Sequence, residues 1–256
     1  MAEGLKDRDR MRVNYDGKFE KIRIEPPRFI VYVDGYNFYA AINHSEPRDL
    51  LRLGWCNFQK LGEKLVSLTF DLEGSSSPQV VVKYFTSLVS HQDNTAGGGE
   101  ERRQKLWLEA LKDETKIEPI LGRHVPRQEG RRKEKWTDVN ISITMIRDIA
   151  DRPNGMILIS GDHDFQPVVE AVAELKIPVA VFNPHGYEMY APRLGTSHGR
   201  RIRTSYLTQE VLKGCRLQDQ KRWEEYLDLK IKSTTPKDRK AQSPFQVCRE
   251  FEDKHR

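Results

Sequence analysis

A chain of 256 residues is long enough to bury one substantial core with an appendage beside it. Charged residues make up 32% and hydrophobic ones 37%, and no apolar run approaches the roughly 20 residues that span a bilayer, so a soluble protein without membrane contact is expected. The net charge of +5 gathers in residues 200–256, where 15 Lys and Arg face 9 Asp and Glu, while residues 1–199 hold 28 against 29; a basic tail on a near-neutral body suits a polyanionic partner such as nucleic acid.

Residues 1–27 are polar and lack the apolar core of about 7–15 residues found in a signal peptide, so a cytoplasmic location is expected. Within them, Asp16-Gly17 suits the turn of a hairpin, because Asp-Gly accepts the positive φ of a type I′ turn. From Arg28 the pattern changes to short apolar runs separated by helical stretches. Strands are expected at 29–33, 79–85, 117–121, 156–160 and 178–182. The runs Phe29-Ile-Val-Tyr-Val33 and Met156-Ile-Leu-Ile-Ser160 are almost unbroken, as in strands covered on both faces of a parallel sheet.

Helices are expected at 57–68, 100–113, 137–150, 165–176 and 186–194. In the second, Leu106, Leu108 and Leu111 fall near one face; in the third, Val139, Ile143, Ile146 and Ile149 do the same and predict its buried side. Pro167 lies in a first helical turn, where its missing N–H costs nothing. Strand and helix alternate throughout, which predicts an α/β fold. Residues 75–78 read as a turn, residues 93–99 as a flexible tract leading into a helix, and residues 123–135, with six Lys/Arg and two Glu, as a basic loop.

Beyond residue 204 the pattern weakens. Leu217, Trp223, Tyr226, Leu227 and Ile231 stripe a possible helix, 233–242 reads as a basic linker, and Ser243-Pro244 opens a short terminal helix with Phe245, Cys248 and Phe251 at one-turn spacing. The expected organisation is an N-terminal extension over 1–27, an α/β domain over 28–204, and a basic, partly helical C-terminal extension over 205–256 that docks on the domain or on a protein partner. Cys56, Cys215 and Cys248 are odd in number and far apart, which fits neither a disulfide framework nor a zinc motif.

Four aspartates carry the chemistry: Asp34 in Val-Asp-Gly-Tyr-Asn, Asp138 in Trp-Thr-Asp-Val, and Asp162 with Asp164 in Ser-Gly-Asp-His-Asp-Phe. Two of these motifs follow expected strands, and in an open α/β sheet groups beyond the carboxyl ends of strands converge on one crevice. Carboxylates gathered there repel one another unless cations neutralise them, and hard oxygen ligands suit Mg²⁺ or Mn²⁺. Taken singly, each aspartate also has an ordinary use in a turn or helix cap.

The three motifs together resemble the NYN domain, a branch of the PIN-like nuclease superfamily, and within it the LabA-like proteins. Val33-Asp34-Gly35-Tyr36-Asn37 is similar to the opening motif, Lys135-Trp-Thr-Asp138-Val139 to the central one, and Ile159-Ser160-Gly161-Asp162-His163-Asp164-Phe165 to the closing one. The resemblance runs from about Arg28 to Thr204. It implies a Rossmann-like three-layer α/β/α sandwich with a central, mainly parallel sheet, and a Mg²⁺- or Mn²⁺-dependent endoribonuclease.

On that reading Asp34 and Asp162 are the first choices for direct metal ligands, and Asp138 and Asp164 complete the set directly or through water. Asn37 is placed to orient a ligand carboxylate or the phosphate, and Ser160 to orient Asp34 or Asp162. Arg123, Arg131, Arg132, Lys133 and Lys135 are the candidates for gripping the RNA backbone. Tyr36 and Phe165 either stack on bases or pack in the core, with Phe165 expected in the core. His163 is left out, because metal-bound hydroxide needs no imidazole.

Rival families fit less well. A Toprim-type domain has Glu at its earlier acidic position, a haloacid-dehalogenase phosphatase needs a second Asp where Tyr36 stands, and the Gly-Lys-Ser/Thr of a P-loop is absent. The remaining alternative to the nuclease is a non-catalytic RNA-binding or scaffold protein of the same fold, and a homodimer is compatible with either.

Overall fold

The structure is a computed structural model that describes residues 11–13, 19–21, 26–44, 55–72, 77–88, 99–126, 132–184 and 202–233. In chain order the elements are strands β1 (Met11–Val13), β2 (Phe19–Lys21) and β3 (Arg28–Asp34); helices α1 (Gly35–His44) and α2 (Phe58–Thr69); strand β4 (Gln79–Thr86); helix α3 (Gly99–Thr115); strands β5 (Ile120–Leu121), β6 (Arg123–Pro126) and β7 (Arg132–Lys135); and helix α4 (Thr137–Asp148). Strand β8 (Gly155–Ile159), helix α5 (Gln166–Glu174), strands β9 (Val179–Asn183) and β10 (Ile202–Tyr206), and helices α6 (Gln209–Leu212) and α7 (Gln220–Ser233) follow.

Six of the strands form one all-parallel sheet in the order β10-β9-β8-β3-β4-β5. The unbroken apolar runs sit at its centre, because a strand with neighbours on both sides and helices on both faces has no side left for water. Period-two alternation divides β3 between two cores. Phe29, Val31 and Val33 join Phe58, Leu61, Leu65 and Leu111 of α2 and α3 on one face, while Ile30 and Tyr32 join Ile141 and Met145 of α4 and Val168, Val169 and Val172 of α5 on the other. These are the three layers that the resemblance implies, with every strand of the sheet parallel.

Local signals set the helix ends. Asn57 caps α2, its side chain accepting the Lys60 N–H at 3.0 Å, and Phe58, Leu61, Leu65, Val66 and Thr69 then recur on the buried side. In α5, Pro stands at the start of the helix, as its position predicts.

The buried side of α4 is a correction. Val139, Ile143 and Ile146 are exposed, and the helix instead buries Thr137, Ile141, Met145 and Asp148; of the expected stripe only Ile149, just beyond the helix, packs on the second core. The physical reason lies across the interface: Asp148 accepts hydrogen bonds from Tyr32 Oη at 2.7 Å and from Lys83 Nζ at 2.7 Å, so a charged residue is satisfied inside and turns the helix toward the sheet. Burial, and then the hydrogen bond to Asp148, push the Tyr32 hydroxyl well above the usual tyrosine range, which keeps it a donor.

Residues 207–233 pack on the first face. Leu207, Leu212, Leu217 and Trp223 belong to the same buried cluster as β3, and the Trp223 ring meets Trp55 edge-on at 5.5 Å. Backbone bonds run from Asn57 N to the Cys215 oxygen at 2.7 Å and from Leu217 N to the Trp55 oxygen at 2.9 Å. Strand β10, with no counterpart among the expected elements, adds the sheet edge that leads into this segment.

The N-terminal hairpin is present, with Met11 paired to Lys21 and Val13 to Phe19. Residues 123–135, expected to be a loop, contain an antiparallel hairpin with Arg123 opposite Lys135. The expected helix 186–194 and the terminal helix with Phe245, Cys248 and Phe251 lie outside the described residues. No described helix is long and apolar enough to cross a membrane.

Candidate active site

Asp34 ends β3 and Ile159 ends β8, and Val33 is paired with Ile159, so the two chains leave the sheet side by side at the same edge. Ser160 Oγ donates to Asp34 Oδ2 at 2.9 Å, and the Asn37 N–H donates to Asp34 Oδ1 at 3.1 Å. The side-chain oxygen of Asn37 in turn accepts the Gly161 N–H at 2.8 Å. Asn37 therefore ties the start of α1 to the turn after β8, and the same Ser160 Oγ accepts the Asp162 N–H at 3.1 Å.

Gly35 makes this approach possible. A Cβ at that position would stand 2.7 Å from the Phe85 carbonyl oxygen and would overlap the Tyr84 phenol, so only glycine lets α1 begin directly against β4. The Asp-Gly pair here turns a strand into a helix.

Asp34 is 4% exposed. Its pKa is raised to about 7: burial is the largest cause, the hydrogen bonds from Asn37 and Ser160 pull it down, and the charges of Asp138 and Asp162 push it up. Asp138 is exposed in the first turn of α4, and Asp162 is half-buried, so three of the four aspartates share one electrostatic neighbourhood. Asp162 also caps the short 3-10 turn His163–Phe165, accepting the Asp164 N–H at 2.9 Å. Asp164 and His163 are exposed in that turn, and Phe165 is buried in the second core.

The expected basic residues precede Asp138 along the chain. Arg132, Lys133 and Lys135 lie on β7 and Arg123 on β6, and β7 leads through Trp136 into α4 and Asp138; Arg131 lies outside the described residues. Trp136 has φ 83° and ψ −12°, a left-handed conformation that costs a residue with a Cβ about 1–2 kcal/mol. No sequence signal marked it.

Sequence reasoning also missed the Tyr32, Asp148 and Lys83 group. It clamps the C-terminal end of α4 to β3 and β4, whose residues Tyr32 and Lys83 are paired. The other end of that helix carries Asp138. The spacing of Thr137, Ile141, Met145 and Asp148 was the available signal, since it is as helical as that of the apolar stripe.

The NYN domain family matches residues 28–192, and the chain belongs to that family. An NYN domain places it in the PIN-like nuclease superfamily, whose members usually use divalent metal ions. A comparison with curated proteins finds no match. Among solved structures, a protein of unknown function from Vibrio parahaemolyticus is similar, at 20% identity and a TM-score of 0.46, over 72% of this chain and 95% of that one.

Proposed function

We propose that the chain is a metal-dependent endoribonuclease that hydrolyses RNA phosphodiester bonds at the edge of the sheet where β3 ends in Asp34, with Asp138 and Asp162 near enough for their charges to act on it. The observation that carries this reading is Asp34: a buried carboxyl, held by two donors and crowded by two further carboxylates, in a family of nucleases. Such a set lacks positive charge, and a cation is what would lower its energy.

The donors suit a hard divalent ion by their chemistry, since all are carboxylates. Among the described residues no three acidic, His or Cys side chains are gathered closely enough to hold a metal. Asp34 and Asp162 would hold the ion, with Asp138 and Asp164 reached directly or through water. When bound, the ion supplies a water of lowered pKa and neutralises charge on the phosphate oxygens.

The chain's own residues set the geometry. Ser160 orients the Asp34 carboxylate, and Asn37 fixes the spacing between Asp34 and the turn that carries Asp162. Arg123, Arg131, Arg132, Lys133 and Lys135 hold the RNA backbone, which predicts affinity falling steeply with salt.

The test is cleavage of single-stranded and structured RNAs with Mg²⁺ or Mn²⁺, stopped by EDTA. Asp34→Asn and Asp162→Asn should each lower the rate on the order of 100-fold or more, the scale of losing one group that stabilises charge at a reacting centre. Ser160→Ala should cost roughly 10–100-fold, as for a partner that orients a ligand. Cleavage untouched by Asp34→Asn would remove the proposal, and RNA binding without cutting across the panel would leave a binding module in its place.

A further inference from the structure

Helix α4 turns its more polar row inward. It buries Thr137 and Asp148 together with Ile141 and Met145, while Val139, Ile143 and Ile146, continued by Ala150 in the 3-10 turn that follows, form a wholly apolar row in water. Val139 is 53% exposed, Ile143 44% and Ile146 46%. Aliphatic side chains exposed singly are ordinary, as Leu68 on α2 and Leu175 at the end of α5 are. Three on adjacent turns of one helix, outside a face that holds a buried carboxylate, need a different account.

The spacing of the row supplies it. Steps of four, three and four residues keep side chains along one side of a helix in the register that a second helix packs against. Val139, Ile143 and Ile146 are also β-branched, so they lose little rotamer freedom when covered.

Reversed, the row is complementary to itself. In an antiparallel pair about a two-fold axis, Ile143 of each copy meets Ile146 of the other, and at both ends Val139 meets Ala150, a larger side chain against a smaller one. The flanks agree in charge, because Arg147 then falls opposite Asn140 rather than opposite itself, and Ser142 lies on the other side of the row. Residues 1–199 hold 28 Lys and Arg against 29 Asp and Glu, so two such bodies approach without net repulsion.

We infer that α4 is the interface of a homodimer, paired antiparallel with α4 of a second copy through Val139, Ile143, Ile146 and Ala150. Three half-exposed aliphatic side chains fall well short of the roughly 800 Å² per partner of a standard interface, so the dimer is weak and fills at high protein concentration. Asp138 stands about 100° round the helix from Val139, so the pairing does not use it. The inference is therefore independent of the nuclease reading.

Sedimentation equilibrium of the full chain over about 1 to 500 µM, the range of a weak interface, should show the mass rising from 29.8 kDa toward twice that value. Ile143→Ser should keep the monomer mass throughout and the melting temperature of the parent. Ile143→Glu and Ile146→Lys should each be monomeric alone, and their equimolar mixture should regain the dimer, because position 143 of one copy meets position 146 of the other. Leu175→Ser removes an exposed aliphatic away from the row and should dimerise as the parent does. Should Ile143→Ser fail to fold, the two charged variants and their mixture decide the matter.

A monomer mass at every concentration would overturn the inference. So would a dimer that Ile143→Ser leaves intact, which places the contact elsewhere, or a mixture of the charged variants that stays monomeric, which contradicts the antiparallel register. A chain that stays monomeric while Ile143→Ser weakens its binding to RNA would give the row to the nucleic acid instead. RNA cleavage is a separate readout: its absence would sink the nuclease reading and leave the dimer untouched.

Discussion

Asp34 combines burial with the need for a charge, and that conflict has a measurable sign. Its ordinary pKa is 3.8, and burial with the nearby carboxylates raises it to about 7 in the folded chain. The folded state therefore holds the proton more tightly than the unfolded one. The stability from this group is fully present below about pH 4 and is lost as pH rises through 7. Asn cannot ionise and still offers an oxygen to Ser160 or Asn37. Without metal, Asp34→Asn should match the wild type near pH 4 and exceed it by roughly 2–4 kcal/mol at pH 8, read from urea unfolding at the two pH values. Added Mg²⁺ should raise the stability of the wild type and leave that of the variant unchanged. A buried carboxylate that lowers stability without metal and raises it with metal would serve chemistry rather than packing.

At the scale of elements, α4 carries Asp138 in its first turn, and its orientation is set by polar contacts of Asp148 as well as by the burial of Ile141 and Met145. Asp148 is held by the Tyr32 hydroxyl and the Lys83 ammonium at 2.7 Å each. Asp148→Ala leaves that ammonium and hydroxyl without their partner, and should cost about 3 kcal/mol in denaturant unfolding. The same orientation reverses the expectation from hydrophobic pattern. Ile141→Ala should cost about 2–4 kcal/mol, because Ile141 is fully buried, while Ile143→Ala at the exposed stripe should stay within about 0.5 kcal/mol. Equal effects at both positions would contradict the observed rotation of the helix.

For the whole molecule, the question is where the domain ends. Residues 207–223 supply Leu207, Leu212, Leu217 and Trp223 to the core that also holds Val31 and Val33, and Val33 directly precedes Asp34. A chain ending at residue 204 would leave Trp55 and its neighbours facing water. We therefore expect that truncation to lose cooperative unfolding, and Trp223→Ala to cost about 3–5 kcal/mol, measured by thermal and urea denaturation. A truncated chain that melts as the full one does would make residues 205–256 a separate appendage.

What sequence alone determined about this protein is the part written in short-range pattern. Unbroken apolar runs marked the central strands, alternation with helices marked the α/β class, and three motifs in order marked the family and singled out Asp34, Asp138, Asp162 and Asp164 as candidates. Tertiary structure decided what depends on distant partners. Which side of α4 is buried follows from Tyr32 and Lys83, more than fifty residues away along the chain, and not from helical periodicity, which two stripes satisfied equally well. The hairpin at 123–135 pairs a strand holding only Val125 and Pro126 as apolar residues with a strand of four charged ones, which leaves no apolar alternation to read. The pKa of Asp34 and the strained backbone of Trp136 likewise exist only in the folded chain, because desolvation and a positive φ are imposed by neighbours that the sequence brings together only on folding.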